Sequence, residues 1–537
     1  MLPKMPFYPL QRIAAACLLT ALAAGCATHS SLTGPGDAPA TPEVLLAQAE
    51  KTKNPEERLG LLLAAAQRAE ANLQKSGSDT DRLTYNTACA EFAVTWWKSG
   101  QSLDALQTPE GTFQLKVSSG SASGQWKPGY FKELLLPSEL AEQSLVQQTP
   151  LDGVGGFVVG VHQPQNPRAQ LMPLQGIPVP VTAVLTTSGE GNLRKATLTL
   201  YNPDQLAKIR MAGRTRPLAA DFGAPFGYYR DPQAVGFMAM LRPAKYQKGE
   251  GMYLVQPYDA DKIPIVFVHG LMAIPQMWLP VMAAIEKDPE LRGKFQFLAF
   301  DYPTGDPVAY LALEFRRALE KIYEVYPETR DMVIINHSLG GTITHMNMIN
   351  PGNVFVDLFG DYGEKILAMP DDSILKEALV YEANSRTDEV IFIAAVHRGA
   401  PLAISWLGKL GNSLIKIPTR LIEGVGEDVL KAAMKAEGMT EEFVPNSINA
   451  LSPDNPLLKA MNTREIQVPY HSIIGVAGKP LSPLEKTSDT VVPYWSTHRD
   501  AAESEKIVYA THETIFATPE AIDEMKRILH LYLKKQR

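Results

Sequence analysis

The feature that most constrains this chain is an apolar run that ends in a serine-containing turn. Residues 331–341 read DMVIINHSLGG, and a helix-compatible run follows at 342–349. The part up to Asn336 is rich in branched apolar side chains, which is typical of a buried parallel strand. A strand, a tight turn and a helix would hold Ser338 in a strained backbone conformation with its Oγ exposed above the sheet.

The turn matches only part of the usual G-x-S-x-G pattern. Ser338 and Gly340 occupy their positions, but Asn336 stands where the first glycine is expected. A short serine motif also occurs by chance in surface loops, so the flanking strand and the second glycine decide between the two interpretations. Both are present, and we therefore predict a nucleophile elbow whose tightness depends on how the Asn336 side chain is accommodated.

Strand-like and helix-like segments alternate over the second half of the chain. This alternation predicts an α/β fold with a mostly parallel sheet and helices on both faces. The predicted strands are 263–268, 295–300, 331–336, 389–396, 470–476 and 506–510. Two intervals, about 350–388 and 400–465, are too long for simple crossovers. We predict helical cap or lid insertions there, with an extra structural helix layer as the alternative.

The remainder of the chain divides by composition. A chain of 537 residues is too long for one compact core. We predict a small helical region at 42–108, a β-rich region at 109–257 and a catalytic domain at 258–537. The formal net charge of −7 and the lack of a Lys/Arg run in the sequence argue against a nucleic-acid partner.

The N-terminal segment is predicted to direct export. A short basic start precedes an apolar run that is too short to span a bilayer as a helix, and the run ends in LAAGC at 22–26. This ending resembles the lipobox of bacterial lipoproteins, which implies a signal peptide at 1–25 and acylation of Cys26. Because Ala27 follows, the resemblance implies an outer-membrane lipoprotein facing the periplasm or the cell surface. Residues 26–41 are then a flexible tether, and an ordinary cleaved signal peptide is the alternative.

Three motifs in a fixed order characterise the region from about Lys262 onwards. The segment VHGL at 268–271 follows the first predicted strand, Ser338 lies at the elbow, and the segment SDTVVP at 488–493 precedes His512. This arrangement resembles the α/β-hydrolases of the bacterial lipase/esterase type. The resemblance implies an α/β-hydrolase fold for this region of the chain.

The roles of the candidate catalytic residues follow from their chemistry and order. A serine hydroxyl is a weak nucleophile at neutral pH, so it needs an imidazole base, and the base needs a carboxylate to fix its tautomer. In the family order, Ser338, Asp489 and His512 take these roles. Asp500 remains the rival acid, because it also precedes the last predicted strand. Three histidines compete for the role of the base. His498 shares a loop with Asp489, His471 lies within a strand, and His337 flanks the elbow.

The family stabilises the oxyanion with two backbone N–H groups, and the resemblance implies that these belong to Leu271 and Leu339. Because the donors are main-chain groups, leucine side chains are compatible with this role. Five apolar residues are candidates for an acyl pocket, although core packing explains each of them equally well: Met272, Met277, Trp278, Trp406 and Leu407.

The expected function is hydrolysis of carboxylic esters through an acyl-enzyme, with no metal or organic cofactor. The expected partners are an ester or lipid substrate and a membrane reached through the lipid anchor. Acyl transfer to an alcohol on the same triad is the alternative within enzymes. A catalytically idle binding or scaffolding lipoprotein is the alternative outside them.

Overall fold

A computed structural model describes most of the chain between Ala40 and Gln536. The described residues are 40–100, 104–120, 126, 128–141, 146, 150–163, 171–173, 175–191, 194–229, 251–401, 451–478 and 483–536. From Thr41 onwards they belong to one compact unit. The predicted signal peptide, Cys26 and most of the lid predicted at 400–465 lie outside the described residues, and those three features stay predictions.

Three helices open the described part of the chain, as predicted for this region. They are α1 (Pro42–Lys51), α2 (Pro55–Ser76) and α3 (Asp79–Lys98). The Asn54 side chain caps α2, because its Oδ1 accepts the amides of Glu56 and Glu57 at 2.9 and 3.3 Å. Gly77 follows the last residue of α2 as its C-cap, and its φ of 69° is the left-handed conformation that glycine adopts easily.

These helices pack on a six-stranded sheet with the order β1-β2-β6-β5-β4-β3. A close approach of α3 is possible because Gly156 has no Cβ, which would lie 2.1 Å from the Ala90 amide nitrogen. Tyr85 O–H also donates to the Leu185 carbonyl at 2.7 Å. The strands are β1 (Ala105–Thr108), β2 (Gly111–Ser119), β3 (Phe131–Leu135), β4 (Gly156–His162), β5 (Ile177–Ser188) and β6 (Lys195–Tyr201).

Two region boundaries differ from the prediction. Residues 105–108 lie within the predicted helical region 42–108, but they form strand β1. This strand pairs with β2 across a tight turn that ends at Gly111, where φ is 119°. Strand β9 (Gly251–Leu254) falls within the predicted β-rich region 109–257, but it pairs with β11 (Phe295–Asp301) in the sheet of the second half of the chain. Between them lie helix α4 (Pro137–Ala141) and a separate hairpin of β7 (Lys208–Met211) and β8 (Arg214–Pro217).

The second half of the chain forms a seven-stranded sheet with the order β15-β14-β13-β12-β10-β11-β9. All neighbouring pairs are parallel except β9 with β11, which is antiparallel. This topology confirms the predicted α/β-hydrolase fold. The strands are β10 (Ile263–Val268), β11 (Phe295–Asp301), β12 (Met332–His337), β13 (Thr387–Ile393), β14 (Tyr470–Gly475) and β15 (Ser504–Val508).

Helices connect the parallel strands and cover both faces of this sheet. The central strands β10 and β12 are buried along their whole length, which explains their unbroken apolar sequences. The helices are α5 (Leu279–Glu286), α6 (Pro289–Arg292), α7 (Val308–Val325), α8 (Leu339–Asn347), α9 (Gly363–Leu367), α10 (Ile374–Leu379), α11 (Pro456–Met461), α12 (Tyr494–Thr497) and α13 (Pro519–Lys535). Short 3-10 turns lie at Pro128–Tyr130, Ala224–Tyr228, Pro275–Trp278, Val356–Tyr362, Leu484–Lys486 and Ile515–Ala517. Among the described residues, no helix has both the length and the apolar character needed to cross a membrane.

The prediction that 350–388 forms a cap over the site is wrong. The segment starts where α8 ends, which is the edge of the sheet away from Ser338, and its hydrogen bonds keep it there. Asn384 N–H donates to the Asn347 carbonyl at 2.9 Å, and Tyr381 O–H donates to the Met346 carbonyl at 2.8 Å. Helix α10 packs against the side of α7. The segment is therefore a structural helix layer, which was the alternative interpretation.

Buried Glu286 at the end of α5 leads to a prediction about stability and pH. Burial raises the pKa of its carboxyl group from 4.5 to about 7, although a hydrogen bond from Gln256 partly opposes this. Between these two values the folded state holds a proton that the unfolded state has released, so stability falls as pH rises. Glu286→Gln should be more stable than the wild type at pH 8, by an amount on the order of 3 kcal/mol, and similar to it at pH 5.

The measurement is thermal unfolding of both proteins at the two pH values. Exposed Glu328→Gln is the matched control, and its stability relative to the wild type should not change between pH 5 and pH 8. An equal pH dependence of Glu286→Gln and the wild type would contradict the prediction.

Candidate active site

Ser338 occupies a sharp turn between β12 and α8. Its φ of 55° and ψ of −121° lie outside the regions that most non-glycine residues adopt. Two backbone hydrogen bonds hold the turn, because Ser338 N–H donates to Ile393 O at 3.1 Å and Gly341 N–H donates to Ser338 O at 2.9 Å. This is the strand, turn and helix expected from the sequence around the serine.

Two glycines allow the turn to pack, and they also explain the departure at Asn336. A Cβ on Gly340 would lie 2.5 Å from the His269 carbonyl oxygen, so the loop after β10 approaches the elbow closely. A Cβ on Gly341 would lie 2.9 Å from Asn336 Oδ1. The space that the first glycine of the pattern normally leaves is therefore supplied by Gly341, and a fully buried Asn336 fits.

The structure brings Ser338, His512 and Asp489 together in one hydrogen-bonded chain. His512 Nε2 lies 2.9 Å from Ser338 Oγ, and His512 Nδ1 lies 2.7 Å from Asp489 Oδ2. Asp489 is 1% exposed, His512 is 8% exposed and Ser338 is 5% exposed. A carboxylate only accepts hydrogen bonds, so Nδ1 carries the proton and Nε2 presents its lone pair to the serine hydroxyl.

The turn that carries Asp489 fixes the orientation of its carboxylate. Oδ1 accepts the amides of Val491 and Val492 at 2.9 and 2.7 Å, which leaves Oδ2 for His512. Thr490 adopts a φ of 92°, so the turn is tight. Sequence reasoning missed these two amides, although the spacing of SDTVVP offered the signal for such a turn.

The two predicted oxyanion donors belong to segments that lie next to Ser338. Leu339 is the first residue of α8, so its amide belongs to the positive end of the helix dipole. Leu271 follows Gly270, where a Cβ would lie 3.0 Å from Ser338 Cβ, so this loop passes directly beside the serine. Within the described residues, neither amide has an acceptor. Both are therefore able to donate to a developing oxyanion.

Hydrogen bonds on both sides fix the loop that carries Leu271. Tyr302 O–H donates to the His269 carbonyl at 2.5 Å, and Met272 N–H donates to Thr304 Oγ1 at 3.1 Å. The Tyr302 ring also stacks on the His269 imidazole at a centroid distance of 4.2 Å. His269 thus shapes the loop, which agrees with a donor set made of main-chain groups.

The rival acid and two competing histidines are engaged elsewhere. Asp500 Oδ1 lies 3.0 Å from His498 Nε2, and Glu505 holds the Nδ1 of the same ring. His471 Nε2 lies 2.8 Å from Glu389 at the start of β14, which is the sheet edge opposite Ser338. None of these residues forms a hydrogen bond with His512.

His345, within the elbow helix α8, contacts a second buried histidine. Its Nδ1 lies 3.1 Å from His397 Nδ1, and burial lowers the pKa of both rings well below the usual histidine value. Both imidazoles are therefore neutral in the folded protein. The pair is a packing contact outside the triad.

One cluster of described residues has the spacing of metal ligands, namely Glu389, His471 and Glu503. Lys535 supplies positive charge there, because its Nζ lies 2.6 Å from Glu503 Oε2 and 3.6 Å from Glu389 Oε2. An ammonium group thus already faces both carboxylates. This cluster also lies at the sheet edge away from the triad.

Of the acyl-pocket candidates, Trp278 belongs to the core. It is fully buried and packs against Phe267 and Phe516 at centroid distances of 5.3 and 5.7 Å. Met277 packs against the same cluster, whereas Met272 is partly exposed. Core packing was the alternative interpretation for Trp278 and Met277.

Comparison with known proteins gives no match to a family model and no match among curated sequences. Among solved structures, a lipase of Bacillus licheniformis in its mature form is 15% identical, with 52% of this chain and 97% of that chain covered and a TM-score of 0.32. A lipase-esterase related protein of Clostridium acetobutylicum is 12% identical, with coverages of 52% and 98% and a TM-score of 0.29. A phospholipase of Legionella pneumophila is 16% identical, with coverages of 44% and 45% and a TM-score of 0.27. Likenesses this distant leave the function to be argued from the chain's own geometry.

The packing at the elbow gives a second prediction. In Gly341→Ala, the new Cβ would lie 2.4 Å from Ala395 Cβ, so strand and helix must separate. We expect destabilisation of about 1–3 kcal/mol and loss of serine reactivity. Adding Ala395→Gly removes the nearest obstructing atom and should restore part of both. Thermal unfolding and labelling by a fluorophosphonate measure the two effects.

Gly129→Ala is the matched control, because a Cβ there meets no atom within 4 Å, and this variant should behave as the wild type. A Gly341→Ala protein with unchanged stability and labelling would show that the elbow does not need this close approach.

Proposed function

We propose that the protein is a serine hydrolase that cleaves carboxylic esters, with an ester or a lipid as substrate. The observation that supports this most strongly is the hydrogen-bonded chain from Asp489 through His512 to Ser338, with distances of 2.7 and 2.9 Å. An idle scaffold has no need to keep a strained serine aligned with a buried base and acid. The two amides beside the serine add the donors that acyl transfer requires.

In the proposed reaction, Ser338 Oγ attacks the ester carbonyl carbon while His512 Nε2 takes the hydroxyl proton. The carbonyl oxygen becomes an oxyanion and accepts hydrogen bonds from the amides of Leu271 and Leu339. Asp489 stabilises the imidazolium, which then gives its proton to the departing alcohol oxygen. The resulting acyl-enzyme is hydrolysed when His512 takes a proton from water, hydroxide attacks the acyl carbon, and Ser338 recovers its proton.

The triad assignment is tested by substitution. Ser338→Ala and His512→Ala should each lower turnover of a short-chain ester by several orders of magnitude, and the double variant should be little worse than either. Asp489→Asn should keep the fold but lose much of the rate, because the imidazole tautomer is then wrong. The measurements are kcat with circular dichroism as a check on folding.

Asp500→Asn is the matched control for the acid, since Asp500 binds His498 and not His512. It should keep nearly full activity. Additive losses in the double variant, or a larger loss in Asp500→Asn than in Asp489→Asn, would contradict the assignment. A wild-type protein that a fluorophosphonate does not label would argue for the scaffold.

We also propose that the chain is exported and anchored through lipid on Cys26 in the outer membrane. The support is the sequence LAAGC at 22–26 after a short apolar run. Cys26→Ser should abolish metabolic labelling by palmitate and leave the precursor unprocessed. Cys17→Ser, within the segment to be removed, is the control and should retain labelling. Soluble, unlabelled wild-type protein would refute the anchor and leave the hydrolase proposal standing.

A further inference from the structure

His337, directly before the nucleophile, contacts the residue that follows the last strand. Its Nε2 lies 3.0 Å from the backbone carbonyl oxygen of His512, and the two imidazole rings are 4.7 Å apart. The side chain is 5% exposed, and the Phe516 ring lies 5.5 Å from it. Sequence reasoning left this histidine without a role.

The contact determines which ring nitrogen of His337 carries the hydrogen. A carbonyl oxygen only accepts, so Nε2 carries the hydrogen, and Nδ1 is buried without a hydrogen-bond partner among the described residues. Burial lowers the pKa of His337 well below the usual value, and the neighbouring imidazoles of His512 and His269 act in the same direction. The ring therefore stays a neutral N–H donor while His512 gains and loses its proton.

Among the described residues, the main-chain N–H and carbonyl of His512 each form one hydrogen bond. His512 follows β15, the edge strand of the sheet, so a neighbouring strand lies on one side only. Its N–H donates to the Asp489 carbonyl at 2.7 Å, and its carbonyl accepts from His337. Ile515, three residues further on, is fully buried in the core, so the segment is packed on the far side of His512. The two peptide groups of His512 are thus held from opposite sides by Asp489 and His337.

We infer that His337 is a positioning residue that holds the proposed general base His512 through its main-chain carbonyl. The inference rests on the proposed hydrolase function. The bond links the strand end that carries the nucleophile to the loop that carries the base. It therefore fixes the distance between Ser338 Oγ and His512 Nε2 without touching the reacting atoms.

Loss of this bond should affect the reaction more than substrate binding. The imidazole would remain tied to Asp489, but the loop could shift relative to Ser338, and misplacement by about 1 Å can lower a rate by about 100-fold. We therefore expect a lower kcat with a nearly unchanged KM. A purely structural role would instead lower the fraction of folded protein and leave kcat per active site unchanged.

The test compares three substitutions of His337. In Gln, the side-chain amide reaches the position of Nε2 and can still donate to the His512 carbonyl, whereas the shorter Asn amide reaches only the Nδ1 position. Leu fills similar space without a donor. We expect kcat to fall by about 10- to 100-fold in His337→Asn and His337→Leu and by less than about threefold in His337→Gln.

Each kcat is expressed per active site, counted by titration with a fluorophosphonate, and KM should stay within about twofold of the wild type. Wild-type kcat in all three variants would overturn the inference. An equal loss in Gln and Asn would also overturn it, because the position of the side-chain donor would then not matter. Failure of all three to fold would overturn it as well, because it would assign His337 to fold stability. Failure of the hydrolase proposal is separately visible, since the wild type itself would then not react with the fluorophosphonate.

Discussion

The strained backbone of Ser338 is the constraint on which the site depends. A non-glycine residue with φ of 55° costs on the order of 1–3 kcal/mol and persists only where the surroundings impose it. Here β12 pairs with parallel strands on both sides, and the absent Cβ atoms of Gly340 and Gly341 let α8 pack directly against them. The same turn points Oγ at His512 and leaves the Leu339 amide at the start of the helix.

Sheet topology explains how residues far apart in sequence meet at this serine. Ser338, Asp489 and His512 follow β12, β14 and β15, and the carboxyl ends of parallel strands share one edge of a sheet. Because β15 is an edge strand, the segment that carries His512 follows a strand with a neighbour on one side only. The contacts of His512 with the Asp489 backbone and with His337 compensate for the missing neighbour.

Ion pairs join the upstream β-rich region to the segments that precede β10 and β11. Asp204, after β6, forms ion pairs with Lys262 at 2.9 Å and Arg292 at 3.2 Å. The Arg292 guanidinium also lies 3.7 Å from the centroid of the Phe222 ring. Strand β9, which follows the β-rich region, completes the seven-stranded sheet beside β11. These contacts explain why the region boundaries seen in composition do not coincide with those of the sheets.

The sequence by itself predicted the alternation of strands and helices, the mostly parallel sheet and the serine at a strand-to-helix turn. The α/β-hydrolase fold and the roles of Ser338, Asp489 and His512 were implied by the resemblance of three motifs to the bacterial lipases and esterases. The strands, helices and turn were predictable because buried strands, capped helices and tight turns each have a local pattern of residues. Only the tertiary structure decided that Gly341 makes room for Asn336, that 350–388 packs beside α7, and that His337 binds the His512 carbonyl. These contacts join residues that are distant in sequence. They depend on the volume of one side chain or on a single hydrogen bond, and neither produces a periodic pattern in the sequence.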